Sequence, residues 1–271
     1  MREKTALVLS AGGMFGAYQA GAFRAIAELA PPDIIVGASV GALNGWSIAS
    51  GCTPEQLIDR WLDPATGDAL KLFPNYGWRN GWFDPAPLRA QAERLFRESQ
   101  PRMPYGLVVV QLRNLNARLV QHPHVTPDHL QATCSIPLFL PAVQIGGRRY
   151  LDGGLFEKVP IWAAVEMGAT RIIAIDSMPT RVGRWWMHLG INIAYAFKPV
   201  RRYPVELDLT IISPSGSLGD ANDAVFWKRE NVENWVEMGM RDAVHALTSD
   251  VHEAAIESHR CRLNPGPNPS G

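Results

Sequence analysis

Ser39 stands in Gly37-Ala38-Ser39-Val40-Gly41, a G-x-S-x-G pattern, and such a serine can attack an acyl carbon. A hydroxyl is a weak nucleophile on its own. It needs a base for its proton, N–H donors for the oxyanion that forms, and a groove for the substrate. Two other places hold matching groups. Ala11-Gly12-Gly13-Met14-Phe15-Gly16 is a glycine-rich loop in which the Gly12 and Gly13 N–H groups can turn toward a developing negative oxygen. Taken alone, that loop is equally a tight turn, a phosphate cradle or an oxyanion hole. It reads A-x-G-x-x-G, one glycine short of the dinucleotide fingerprint. A serine elbow on the following strand–helix junction favours the oxyanion hole. Asp152-Gly153-Gly154 offers a carboxylate, although an Asp-Gly pair by itself is first a turn signal.

The seven histidines supply no obvious base. His122, His124 and His129 cluster at a strand end and a helix start, and His188 lies in an aromatic segment. His245, His252 and His259 recur at intervals of seven, which suits one face of a helix. None occupies the late loop in which a Ser…Asp…His triad places its histidine.

These groups need a scaffold, and the apolar patterning supplies one. Thr5–Ser10 and Ile34–Val36 read as buried strands, each followed by a small-residue turn and a helix. The first helix carries Phe23, Ile26, Ala27 and Ala30 at helical spacing and stops at Pro31-Pro32; the second follows Ser39 to about Ser50. Its N-terminus would present free N–H groups beside the serine. Thr53-Pro54 caps a third helix to about Leu62, with Thr53 as N-cap. Asp63–Pro87 is rich in proline and glycine and reads as a long loop. Leu107–Gln121 predicts a strand pair, Thr126–Cys134 a helix, and Gln144–Leu151 a hairpin leading to Asp152. Arg171–Asp176 and Leu209–Ser213 read as two further buried strands, and Val232, Trp235, Val236, Ala243 and Leu247 as the stripe of a C-terminal helix. The expected fold is α/β, with a mostly parallel central sheet and helices on both faces. Residues 1–263 are expected to form one domain and 264–271 a disordered tail.

Composition narrows the partners. Lys plus Arg and Asp plus Glu both number 26, so no global charge invites nucleic acid. Cys52, Cys134 and Cys261 form neither a disulfide framework nor a metal motif, which points to a reducing, cytoplasmic setting. Uncharged stretches such as Thr5–Phe23, Ile34–Pro54 and His129–Gly147 are broken by turn residues and read as buried units, not membrane spans. Arg184–Lys198 is uncharged at its centre, rich in aromatics and flanked by Arg181, Arg201 and Arg202. It suits a core helix or a lid first, and peripheral contact with a membrane surface second. Trp78, Trp82 and Phe83 could serve either role.

In four ordered places the chain resembles the patatin-like phospholipases: the first strand with its glycine loop, Gly37–Gly41, Ala132–Val143 and Asp152-Gly153-Gly154. The resemblance implies a Ser–Asp dyad without histidine, with Ser39 as nucleophile, Asp152 as base and Gly12 and Gly13 as the oxyanion hole. It implies hydrolysis of lipid carboxylic esters through an acyl-enzyme, with no cofactor and no metal. Acyl transfer to an alcohol is an alternative outcome of the same intermediate. The rival from another class is a nucleotide-binding protein using Ala11–Gly16. Where the family's loop usually carries a basic residue this chain has Phe15, and its first glycine is Ala11. The missing cation predicts that neutral esters are cleaved at least as well as phospholipids, and that Phe15→Arg restores a phospholipid preference.

Overall fold

The computed structural model describes residues 3–69, 71–72, 83–178 and 207–263. Along the chain the strands are β1 (Thr5–Leu9), β2 (Ile34–Ala38), β3 (Lys71–Leu72), β4 (Phe83–Asp84), β5 (Tyr105–Gln111), β6 (Asn116–Gln121), β7 (Val143–Ile145), β8 (Arg148–Asp152), β9 (Arg171–Ile175) and β10 (Asp208–Ile212). The helices are α1 (Gly16–Leu29), α2 (Val40–Ala49), α3 (Pro54–Leu62), α4 (Pro85–Glu98), α5 (Pro127–Ala132), α6 (Ile161–Glu166) and α7 (Arg229–Leu263).

Five strands run parallel in the order β10, β9, β1, β2, β5, as the β–α–β patterning predicts. Beyond them β6, β7 and β8 pair antiparallel. Side chains alternate across the sheet, so each strand feeds two cores. Leu7, Leu9, Ile35, Leu107 and Val109 pack with α1, α2 and α7 on one face. Ala6, Val8, Ile34, Val36 and Val108 pack with Trp162, Ala163 and Ala164 of α6 on the other. The helices therefore cover both faces, as expected.

Two differences have plain causes. β10 is an edge strand and not a buried one: Leu209 and Ile211 are exposed while Thr210 and Ile212 face inward. The long loop ends sooner than the prolines suggest, because Asp84 caps α4 through the Ala86 N–H at 2.9 Å, and Pro85 and Pro87 are tolerated in the first turn. Most of α4 has no counterpart among the elements expected from the sequence. Thr53 does form its capping box, accepting the Gln56 N–H at 3.2 Å while Gln56 Oε1 accepts the Thr53 N–H at 3.0 Å. Arg184–Lys198, Trp78, Trp82, His188 and 264–271 lie outside the described residues. Phe83 lies within them and is buried, stacked on Phe139 with ring centroids 5.7 Å apart. Among the described residues no helix is long and apolar enough to cross a membrane.

Candidate active site

The sheet explains how Ser39 and Asp152 meet. One edge of β5 is taken by β6 along residues 106–111. The other edge is divided between two strands: β2 pairs residues 105–108 and β8 pairs residues 109–111. Ala38 lies opposite Val108, where β2 turns away, and Asp152 lies opposite Val109, where β8 takes over. The residue that leaves the sheet first is Ser39, so the carboxylate arrives at the position the serine has vacated.

Ser39 has φ 54° and ψ −131°, a left-handed backbone that a side chain disfavours. The turn fits because its flanks are bare. A Cβ on Gly41 would lie 2.4 Å from the Leu9 carbonyl oxygen, and one on Gly37 2.3 Å from the Gly41 carbonyl oxygen. Although Ser39 starts α2, its side chain makes no capping hydrogen bond, which leaves the hydroxyl for chemistry. Its N–H donates to Thr133 Oγ1 at 3.0 Å, and Thr133 Oγ1 in turn donates to the Val108 carbonyl at 2.7 Å. Thr133 thus ties the strained turn to β5.

Asp152 is 4% exposed. Its Oδ1 accepts the Gly154 N–H at 2.6 Å, whereas Oδ2 is buried without a formed hydrogen bond. Burial pushes its pKa up to about 7, opposed by the neighbouring Ser39 hydroxyl and by the Gly154 N–H. The hydroxyl is close enough to stabilise the carboxylate, although the bond to Oδ2 is not made. A carboxyl of that proton affinity beside a free hydroxyl can act as a general base near neutrality, which an ordinary aspartate does poorly.

Gly12 and Gly13 lie in the turn after β1, and Gly13 lines a cavity together with Ser39. The N–H groups of Met14 and Phe15 are spent on the Ala224 and Gly12 carbonyls, at 2.9 and 3.1 Å. Among the described residues none accepts from the Gly12 or Gly13 N–H, so both donors are unspent. Gly13 has φ 57°, and a Cβ there would sit 2.2 Å from the Ala224 oxygen. Beneath the loop runs a buried polar chain. Gln19 Nε2 donates to the Ser10 carbonyl at 2.7 Å and to Ser177 Oγ at 3.0 Å. Asn44 Nδ2 donates to Gln19 Oε1 at 3.0 Å, and Trp61 Nε1 to Asn44 Oδ1 at 3.1 Å. The chain links the glycine loop to the cavity wall.

A cavity of about 360 Å³ opens from Ser39 and Gly13, lined by Met14, Val40, Leu43, Trp61 and Leu88 among others. Cys134 also lines it. Burial, and after it the Asp152 charge, holds that thiol well above its ordinary pKa, so it stays neutral and does not compete as a nucleophile. Among the described residues no histidine lines the cavity. His122 packs edge-on to Trp46, and His129 caps its own helix at Thr126.

Of the four residues singled out in the sequence, the structure sets the Ser39 hydroxyl beside Asp152 and puts Gly13 on the same cavity as Ser39, while a Cβ on Gly12 would meet Ser177 Oγ at 2.8 Å. The structure corrects the reading of Phe15. That side chain is fully buried and meets Trp235 edge-to-face, ring centroids 5.1 Å apart, so it points into the core and not toward a headgroup. Sequence reasoning missed Thr133, although it lies in the Ala132–Val143 segment. Its role depends on a bond to a residue 94 positions away, which no local pattern carries.

Comparisons with known proteins show the family and the fold. The family described as Patatin-like phospholipase matches residues 7–165. Patatin-like phospholipase domain-containing protein 7 of Rattus norvegicus is 28% identical over 180 residues, 63% of this chain and 13% of that protein. Patatin-like phospholipase domain-containing protein 6 of Homo sapiens is 26% identical over the same shares. The match thus takes in about an eighth of the curated relatives. Among solved structures, VipD from Legionella pneumophila aligns with a TM-score of 0.52 at 12% identity, covering 92% of this chain and 67% of that one.

Proposed function

Because the chain belongs to the patatin-like phospholipase family, a family of hydrolases, we propose that it cleaves lipid carboxylic esters through an acyl-enzyme on Ser39, with Asp152 as base. The observation that carries this reading is the division of the β5 edge, which delivers a buried carboxyl of raised pKa to a serine held at φ 54°.

Asp152 takes the Ser39 proton as Oγ attacks the ester carbonyl, and the Gly12 and Gly13 N–H groups bind the oxygen that gains charge. Collapse of the tetrahedral species breaks the ester C–O bond, and Asp152 returns the proton to the leaving alcohol. Water then attacks the acyl-enzyme with Asp152 again accepting a proton, and the carboxylic acid leaves with Ser39 restored. Substrate would be a lipid ester, and the apolar cavity wall suits its chain. Labelling with a fluorophosphonate and mapping the adduct tests the assignment: modification of Ser39 is expected, and full labelling of Ser39→Ala at another serine would overturn it.

A further inference from the structure

Val40, Leu43, Asn44 and Ser47 form one stripe of α2, at helical spacing, and all four line the cavity that starts at Ser39. The lining changes character along this stripe. Near Ser39 the stripe is apolar, with Val40 and Leu43, and Trp61 lines the same cavity. At the far end Ser47 accepts a hydrogen bond from Arg60 Nη1 at 3.0 Å, and Arg94 and Glu98 line the same cavity.

Resting on the hydrolase reading above, we infer that this groove measures acyl-chain length, with the Ser47–Arg60 pair as its end stop at about ten carbons. The helix geometry sets the length. Ser39 and Ser47 are eight residues apart, which at ~1.5 Å per residue of helix is about 12 Å. An extended chain advances ~1.2 Å per bond, as three backbone bonds per ~3.5 Å show, so about ten carbons span that distance. A longer chain would press its methyl end against the Arg60 guanidinium, displacing water from it with no hydrogen bond in exchange. Each methylene that fits adds binding; those beyond the pair do not.

Straight-chain alkyl fluorophosphonates of four to sixteen carbons test this, with second-order labelling constants read by intact-protein mass spectrometry. The constant should rise by up to about fourfold per methylene to about ten carbons, then level or fall beyond twelve. Arg60→Leu should move the break to longer chains, and Leu43→Trp, which fills the middle of the groove, to shorter ones. Each variant is judged by the position of its own break, so a general loss of reactivity does not obscure the result. A steady rise to sixteen carbons, or a break unmoved in both variants, would overturn the ruler while leaving Ser39 as the nucleophile. No labelling of wild-type protein at any length would overturn the Ser39 assignment itself.

Discussion

Thr133 holds Ser39 by its backbone: the serine N–H donates to the threonine hydroxyl at 3.0 Å, and that hydroxyl donates onward to Val108. Both residues are buried, so the contact is not exchanged for water. One consequence is chemical. The Ser39 N–H is spent on Thr133, while those of Gly12 and Gly13 meet no acceptor among the described residues, which is why the proposed oxyanion hole rests on the two glycines.

Thr133→Val keeps the shape and removes the acceptor. A buried N–H left without a partner costs about 1–3 kcal/mol, and the turn at Ser39 loses its tie to β5. The variant should unfold at lower temperature and lose ~10–100-fold in kcat on p-nitrophenyl butyrate, with KM little changed. Thr133→Ser retains the hydroxyl and should recover most of kcat. If Thr133→Ser is as impaired as Thr133→Val, the hydrogen bond is not what matters.

Ser39→Ala should abolish ester hydrolysis and probe labelling while the fold persists. Asp152→Asn cannot accept the proton, and its kcat should fall by several orders of magnitude. His122→Ala, His124→Ala and His129→Ala should each keep most activity, since none of these side chains lines the cavity. A folded His→Ala variant as inactive as Ser39→Ala would falsify the dyad reading.

The parts of this site that the sequence shows are those with local signatures. Gly37–Gly41 sits between a buried strand and a helix, and the glycine loop follows β1 directly, so each announces a turn. Asp152 is visible only through a resemblance, because Asp-Gly alone reads as a turn and nothing local says that β8 takes over the β5 edge from β2. The Gln19–Asn44–Trp61 chain is equally silent, since polar residues inside apolar helices show their purpose only when three elements meet. The orientation of Phe15 is hidden for a related reason: position in a loop does not tell which way a side chain points, and here it points at Trp235.

That burial sets the expectation for Phe15→Arg. A guanidinium placed against Trp235 in the α1–α7 core puts a charge where an apolar ring packs, and an unpaired buried charge costs roughly 3–5 kcal/mol. The variant should show a much lower melting temperature or fail to accumulate in soluble form. Phe15→Leu should lose far less. On matched diacylglycerol and phosphatidylcholine dispersions, the ratio of rates should be the same for wild type and any folded Phe15 variant. A clear shift toward phospholipid in stable Phe15→Arg protein would mean the side chain reaches the substrate after all.

Activity and stability should respond to pH in opposite directions through one group. Burial lifts Asp152 from 3.8 to about 7, against the pull of Ser39 and the Gly154 N–H. As a base it must be ionised, so kcat/KM should climb as pH rises through about 7 and level off above it. Folding is linked with the opposite sign. Between the unfolded value near ~3.9 and the folded value, native protein holds a proton that the unfolded chain has released. The stability this group contributes is therefore full below about pH 4 and is lost as pH rises toward 7, a difference on the order of 4 kcal/mol. Asp152→Asn does not titrate and keeps an acceptor for Gly154, so it should be inactive yet more stable than wild type at pH 8. The gap should close toward pH 4. Urea unfolding of both proteins at the two pH values checks the linkage, and a pH–rate profile checks the base. Equal stability at pH 8, or a flat kcat/KM from pH 6 to 8, would show that Asp152 is not the buried titrating base.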